Sequence, residues 1–174
     1  MTVKDSTSWS TASRRIGSSL VVAVLTLCGL AAPAAAADQV PFTATGTAVI
    51  KNVTHLPGGL TQVDFSTSGT ATHLGDFTGP LTRIQNHQGN FGSTAVIVGA
   101  NGTDSVFFSV SGQFESTGGG DKCVATSTGT YTVTGGAGAF ANATGSGTIT
   151  TQIDKCAGTA TGTYTGTISR PNEG

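Results

Sequence analysis

Charged residues are scarce in this chain. Asp, Glu, Lys and Arg make up 10% of its 174 residues, and eight basic residues stand against nine acidic ones. The cations are scattered along the sequence, whereas proteins that bind nucleic acids usually concentrate Lys and Arg on one surface. We therefore expect no nucleic-acid partner.

Residues that favour helices are also rare. Leu, Glu, Lys and Met are few, whereas Thr, Gly, Ser, Val and Phe dominate. No segment repeats its apolar residues with the 3.6-residue period of an amphipathic helix. Alternation with a period of two is common instead, and it is clearest where Val106, Phe108 and Val110 share one face of a predicted strand. The sequence therefore predicts an all-β fold.

Side chains that commonly carry catalysis or bind metals form no recognisable pattern. The three histidines are 18 and 14 residues apart, at His55, His73 and His87, whereas metal sites on one element use closer pairs. No G-x-S-x-G motif is present to anchor a hydrolase triad. We interpret Asp121 and Asp154 as solvated loop acids rather than cation ligands. We assign no catalytic residue, no metal ligand and no cofactor.

The N-terminal segment has the pattern of a secretory signal peptide. Arg14 and Arg15 precede an apolar run over residues 16–30, and an Ala-rich stretch ends at Ala37. We expect cleavage near Ala37, which leaves a secreted protein without a membrane anchor. An uncleaved anchor helix is the alternative, and the export route is either the general secretory or the twin-arginine pathway.

Two cysteines remain after this predicted cleavage, Cys123 and Cys156. An even number of cysteines in an exported protein favours a disulfide. Metal binding is the alternative, but no histidine lies near either cysteine in the sequence. The sequence therefore predicts a Cys123–Cys156 disulfide.

Turn residues divide the remaining chain at regular intervals. Pro57-Gly58-Gly59, the Asn101-Gly102 pair and the glycines at 118–120 each separate two segments with strand composition. The connections are short, which favours an antiparallel meander. The eight predicted strands lie near residues 42–53, 60–72, 76–87, 92–99, 104–116, 123–134, 145–153 and 157–169.

Eight long antiparallel strands either close into a barrel or divide into two packed sheets, because an open sheet leaves unpaired edges. Turns between sequential neighbours need no Greek-key crossing. We therefore predict that residues 38–174 form a single domain, an up-and-down β-barrel, with a β-sandwich as the alternative. Such a barrel encloses a lumen that side chains fill or that holds one small ligand.

Two segments of the chain are nearly the same. Residues 121–132 and 154–165 both begin Asp-Lys-Cys and continue to Gly-Thr-Tyr-Thr, 33 residues apart. If one strand lies between the two copies, they are about 9.5 Å apart, whereas a disulfide needs Cα atoms within roughly 7 Å. We therefore expect both cysteines in loops at one end of the barrel.

The two copies also predict which side chains face inward. Their threonines alternate with alanine, glycine and one tyrosine, so threonines facing water place Tyr131 and Tyr164 inside. These tyrosines are candidate hydrogen-bonding groups for a small apolar ligand, with Phe65 and Phe108 as apolar contacts. Alternatively, phenylalanines fill the lumen and the tyrosines bond to one another or to the backbone. The other predicted inward residues are Phe42, Ala48, Ile50, Val63, Val96, Val98, Val106, Val110, Phe114, Ile149 and Ile153.

A family resemblance is carried by the segment Tyr131–Gly147, which contains Gly135-Gly136-Ala137-Gly138-Ala139-Phe140. It resembles the strand, glycine-rich turn and strand entry of the allene oxide cyclase barrel-like and dirigent-like families, and the segment 71–78 is similar to a turn of their secreted bacterial members. The resemblance implies an eight-stranded barrel of calycin type. Plant members include a cyclase that folds an unstable epoxide and proteins that steer radical coupling, but none of their catalytic positions matches a residue here.

Three functions are compatible with these observations. The first is a secreted barrel that binds a small apolar ligand in its lumen. The second is a cyclase or isomerase in which an apolar lumen orders a reactive substrate. The third is an extracellular surface or assembly protein whose threonine-rich outer face makes the contacts. The sequence is also compatible with an oligomer.

Overall fold

The computed structural model describes residues 38–115 and 123–169. The predicted signal peptide over residues 1–37 lies outside the described residues, as does Asp121. Within the described ranges the chain is almost entirely strand, with two single-turn 3-10 segments at Pro57–Gly59 and Gly138–Phe140. The eight strands are β1 Gln39–Leu56, β2 Leu60–Ala71, β3 Gly75–Gln85, β4 Asn90–Gly99, β5 Ser105–Glu115, β6 Val124–Ala137, β7 Gly145–Asp154 and β8 Thr159–Ser169.

These strands form a closed barrel in chain order. Each pairs antiparallel with the next, and β8 pairs with β1 over Gln39–Val49 and Thr159–Ser169. Closure leaves no unpaired sheet edge. The predicted all-β, up-and-down barrel is confirmed, and the β-sandwich alternative is wrong.

The two barrel ends differ. One end, which we call the disulfide end, carries the β1–β2, β3–β4, β5–β6 and β7–β8 connections. Cys123 directly precedes β6 and Cys156 lies in the β7–β8 turn; their Cα atoms are 5.1 Å apart and the sulfurs are bonded. The Lys155 amide also donates a hydrogen bond of 2.7 Å to the Cys123 carbonyl. The predicted disulfide and its position beyond the end of β7 are both confirmed.

The opposite end of the barrel, which we call the terminus end, carries the β2–β3, β4–β5 and β6–β7 connections. It also holds the start of β1 at Gln39 and the end of β8 at Ser169.

Alternation along β6 and β8 places threonines outside and small or aromatic residues inside. Tyr131, Val133, Ala160 and Ile168 are buried, while the threonines between them are mostly exposed. The inward positions predicted on β1, β2, β5 and β7 are also buried or partly buried.

The prediction for β4 was wrong. Val96 and Val98 were expected inside, but the inward face of this strand carries Phe91, Ser93, Ala95 and Ile97. The segment 96–98 is apolar at every position, so alternation alone does not choose a face. The cross-strand register chooses the face, because Ala95 pairs with the inward residues Leu81 on β3 and Phe108 on β5.

Glycines make room for aromatic rings inside the barrel. Tyr131 pairs across β6 and β7 with Gly147, and Gly147 pairs with Gly166 on β8. A Cβ atom placed on Gly147 would lie 2.6 Å from Tyr131 Cε1, and one on Gly166 would lie 2.6 Å from the Tyr131 hydroxyl. The Tyr131 ring therefore lies directly on two glycines. The same arrangement places Phe77 over Gly46 and Gly69, and Phe91 over Gly112.

Gly147→Ala tests this packing. The added methyl group would overlap the Thr165 carbonyl oxygen and the Tyr131 ring, so we expect the free energy of unfolding to fall by roughly 1–3 kcal/mol, the usual cost of overpacking. Gly92→Ala is the matched control, because Gly92 is exposed and its added Cβ would meet no atom within 4 Å. Urea unfolding of both variants measures the difference. Equal stabilities would contradict the packing of Tyr131 on Gly147.

Candidate ligand cavity

An aromatic cluster fills the lumen toward the terminus end. Phe42, Phe108, Tyr131 and Tyr164 form it, with ring centroids of contacting pairs 5.5–6.2 Å apart and mostly tilted or edge-to-face. Phe140, 1% exposed, packs into the same core from the turn between β6 and β7. This half of the barrel is a filled core.

The glycine-rich turn over residues 135–140 has a structural role. Gly138 adopts a φ of 62°, and a Cβ at this position would overlap the Asp104 carboxylate. Asp104 Oδ1 accepts a hydrogen bond of 2.9 Å from the Ala139 amide, which holds the turn against the β4–β5 loop. The turn thereby delivers Phe140 to the core.

A cavity of about 90 Å³ extends from this aromatic cluster toward the disulfide end. Its wall on β8 and β1 is built from small residues, among them Ala48, Ala160 and Gly162. Strands β3 and β4, across the lumen, contribute Arg83 and Phe91. Six serine and threonine residues also line the cavity, namely Thr47, Thr67, Ser93, Ser127, Thr151 and Thr161.

Three of the four predicted ligand-contacting residues line this cavity, namely Phe65, Phe108 and Tyr164. Tyr131 does not belong to the wall. It is 1% exposed, packed against Phe108 and Tyr164, and its hydroxyl is buried without a hydrogen-bond partner among the described residues. Tyr131 therefore lies behind the cavity wall.

Both tyrosines are held in their neutral form. Burial, with a smaller contribution from neighbouring Tyr131, raises the pKa of Tyr164 to about 12. Burial also raises the pKa of Tyr131. At neutral pH each phenol can donate a hydrogen bond, but neither acts as a base.

The sequence reasoning missed Arg83, which lies on the inward face of β3. Its guanidinium carbon is 4.9 Å from the centroids of the Phe65 and Phe114 rings and 6.0 Å from that of Phe91. Desolvation lowers its pKa to about 10, so the group is still charged at neutral pH. The sequence did indicate an inward position for Arg83. Alternate residues of a strand share a face, and Arg83 is separated from the apolar residues Phe77 and Leu81 by an even number of positions.

Arg83 has no counter-ion among the described residues. Its Nε atom is buried and makes no hydrogen bond there. The carboxylate of Asp64, on the neighbouring strand, faces outward and accepts hydrogen bonds from the side chains of Thr82, Gln62 and Asn52. Those bonds, with that of Thr82 the largest cause, hold the pKa of Asp64 below its usual value. Arg83 is the one charged side chain among the described residues that line the cavity.

The histidines and loop acids lie elsewhere. His73 takes a φ of 66° in the β2–β3 turn, and its Nε2 is 3.1 Å from the Pro41 carbonyl oxygen, to which a protonated Nε2 donates. Asp154 Oδ1 accepts hydrogen bonds from the amides of Cys156 and Ala157 and so shapes the β7–β8 turn. Over residues 38–115 and 123–169, no three His, Cys, Asp or Glu side chains are grouped closely enough to hold a metal ion.

Comparison with known proteins adds no relative: no family model, no curated protein and no solved structure matches the chain. In the part of the chain that the structure describes, no helix has the length and apolar character needed to cross a membrane.

Tyr164→Phe tests the burial of this phenol. An unfolded chain loses the tyrosine proton near pH 10, whereas the folded chain keeps it until about pH 12. The folded state binds more protons in this interval, so wild-type stability falls as the pH rises through it. The variant lacks this loss of stability. Arg83, whose pKa is lowered in the folded state, makes stability rise with pH in the same interval, but this contribution is the same in both proteins and cancels in the comparison.

We therefore expect the stability of Tyr164→Phe relative to wild type to be constant from pH 7 to about 9 and to increase from about 10 to 12. Urea unfolding at a series of pH values measures it. A stability difference that stays constant up to pH 12 would contradict a shielded Tyr164 phenol.

Proposed function

We propose that this protein is an exported binding protein that holds a small, mainly apolar molecule in the lumen of its barrel. The observation that carries the proposal is the cavity between the aromatic cluster and the disulfide end. Its walls are largely apolar, with a few polar groups, which is the usual composition of small-molecule sites.

The small residues of β8 and β1 support this function, because they leave lumenal space unfilled. A Cβ atom added to Gly162 would meet no atom closer than 3.7 Å, unlike those on the glycines beneath Tyr131. Ala48 and Ala160 continue the same wall toward the disulfide end. A barrel selected only for a packed core would gain stability from larger side chains here.

Export is supported by two independent features. The first 37 residues have the composition of a signal peptide, and Cys123 and Cys156 form a disulfide. Disulfides persist mainly in oxidising compartments. We infer that the mature chain begins near Asp38.

A variant that fills the cavity tests the binding function. Gly162→Leu places a leucine side chain in the open space, whereas Gly92→Leu adds the same side chain on the exposed face of β4. With ethanol, n-propanol and n-butanol as probes, we expect wild type and Gly92→Leu to show saturable amide shifts in ¹⁵N NMR at Tyr164 and Ala160. Gly162→Leu should show none.

Absence of saturable binding of every probe to wild type would contradict the proposed function. Equal binding to Gly162→Leu would place the probes outside the cavity and contradict it as well.

A second candidate, a cyclase or isomerase, would use the same cavity. Tyr164 favours it, because this cavity-lining phenol stays protonated at neutral pH and can donate a hydrogen bond to a developing oxyanion. The resemblance to allene oxide cyclase barrel-like and dirigent-like proteins points in the same direction. Turnover of a bound compound that is lost in Tyr164→Phe would favour the enzyme over the carrier.

A third candidate is a surface or assembly protein. The outward threonines of neighbouring strands favour it, since Thr128 pairs with Thr150 and Thr150 with Thr163 across β6, β7 and β8. Such a face can contact another chain without using the lumen. Concentration-dependent association that is unchanged in Gly162→Leu would support this role.

A further inference from the structure

We infer that the cavity recognises a short-chain monocarboxylate whose carboxylate pairs with Arg83 and whose carbon chain lies against Ala160 and Gly162. This inference rests on the proposed function, since it names the class of ligand for the same cavity. Four observations carry it: an unpaired cation, the nature of its neighbours, the charge balance of the wall and the size of the space.

The first observation is that the Nε atom of Arg83, a half-buried side chain, is buried without an acceptor among the described residues. Guanidinium carries five N–H donors, and its buried Nε–H has no partner among the described residues. A charged group that is buried without hydrogen bonds destabilises the folded state, and cationic side chains in protein interiors are normally paired. A ligand that supplies an acceptor would remove this cost on binding.

The second observation is that the neighbours of Arg83 offset its charge without accepting its hydrogen bonds. Phe65 and Phe114, both with centroids 4.9 Å from the guanidinium carbon, attract the cation through their ring faces. Aromatic rings provide no carbonyl or carboxylate oxygen. The donors of a planar guanidinium fit two oxygens in one plane, which is the geometry of a carboxylate.

Ser93 adds a hydroxyl beside this position. It pairs directly with Arg83 across β3 and β4, is 8% exposed and lines the same cavity. Side chains of directly paired residues on one face lie about 4.5–5.5 Å apart at their Cβ atoms. A carboxylate held by Arg83 is therefore within reach of the Ser93 hydroxyl as a second donor.

The charge balance favours a monoanion. Of the described residues that line the cavity, Arg83 alone is charged, so one negative charge neutralises the site. A phosphate monoester carries between one and two negative charges at neutral pH and would leave part of its charge uncompensated in an apolar wall.

The size of the cavity limits the carbon chain. Its volume is about 90 Å³, whereas a cavity of about 150 Å³ accommodates benzene and drug-sized ligands occupy roughly 300–1,000 Å³. We therefore expect a ligand of about four carbons, such as butyrate, rather than a long-chain fatty acid.

The experiment compares butyrate with n-butanol, which has the same number of carbons and no charge. Isothermal titration of the mature, disulfide-bonded protein in a buffer free of carboxylates measures both affinities, and octanoate tests the length limit. Arg83→Met removes the charge while keeping an apolar side chain against the phenylalanines, and Arg83→Lys keeps the charge without the planar donors. Lys51→Met, on the exposed surface of β1, is the control for loss of one positive charge.

For wild type and Lys51→Met we expect butyrate to bind at least about tenfold more tightly than n-butanol, as a charge-assisted hydrogen bond predicts. Arg83→Met should lose this preference but still bind n-butanol, and Arg83→Lys should be intermediate. Octanoate should bind more weakly than butyrate.

Equal affinities of butyrate and n-butanol for wild type, or a preference that survives in Arg83→Met, would overturn the inference while leaving the proposed binding function intact. Tighter binding of octanoate than of butyrate would overturn the short-chain assignment. If the neutral probes and butyrate all fail to bind wild type, the proposed function fails together with the inference.

Discussion

The volume inside an eight-stranded barrel is the constraint on which the rest of this structure depends. Eight strands enclose a lumen that is only just wide enough for side chains, so each inward aromatic ring needs space from its neighbours. The chain provides that space with glycines that pair across strands, most clearly Gly147 and Gly166 beneath Tyr131. Ring and glycine positions are therefore coupled through the register of three strands.

The inward aromatic rings do not fill the lumen equally along the barrel axis. Toward the terminus end, the aromatic cluster and Phe140 fill the lumen. Toward the disulfide end, Ala125, Ile153 and Ala160 form a much smaller apolar cluster, and Arg83 occupies an inward position. The Cys123–Cys156 disulfide lies at this end, where it adds a covalent constraint to the packing of Phe91 against Phe114. The cavity reaches from the aromatic cluster to Arg83 in this half.

Much of this architecture could be predicted from the sequence, because strand number, turn positions and the faces of β6 and β8 follow from local patterns. The predictions of inward residues that were wrong have physical causes. On β4, Val96, Ile97 and Val98 offer apolar side chains to both faces, and only pairing with β3 and β5 selects the inward set.

Two features of the site depended on three-dimensional packing. Tyr131 and Tyr164 occupy equivalent places in the repeated segments, yet one packs on glycines behind the wall and the other lines the cavity. Arg83 was overlooked because an arginine in a short polar-apolar alternation normally faces water. The rings of Phe65 and Phe114, distant in sequence, are what allow it to face inward.

The central claim is that Arg83 is an inward-facing cation that has no hydrogen-bond acceptor or counter-ion among the described residues, 38–115 and 123–169. The most direct measurement is the free energy of unfolding of Arg83→Met relative to wild type, from urea titrations at pH 7 without carboxylates. If the guanidinium is unpaired, the variant should be at least as stable as wild type, because it removes a half-buried charge that lacks an acceptor and keeps an apolar side chain against Phe65 and Phe114. A variant less stable than wild type by several kcal/mol would show that Arg83 makes stabilising bonds within the protein, and would contradict the account.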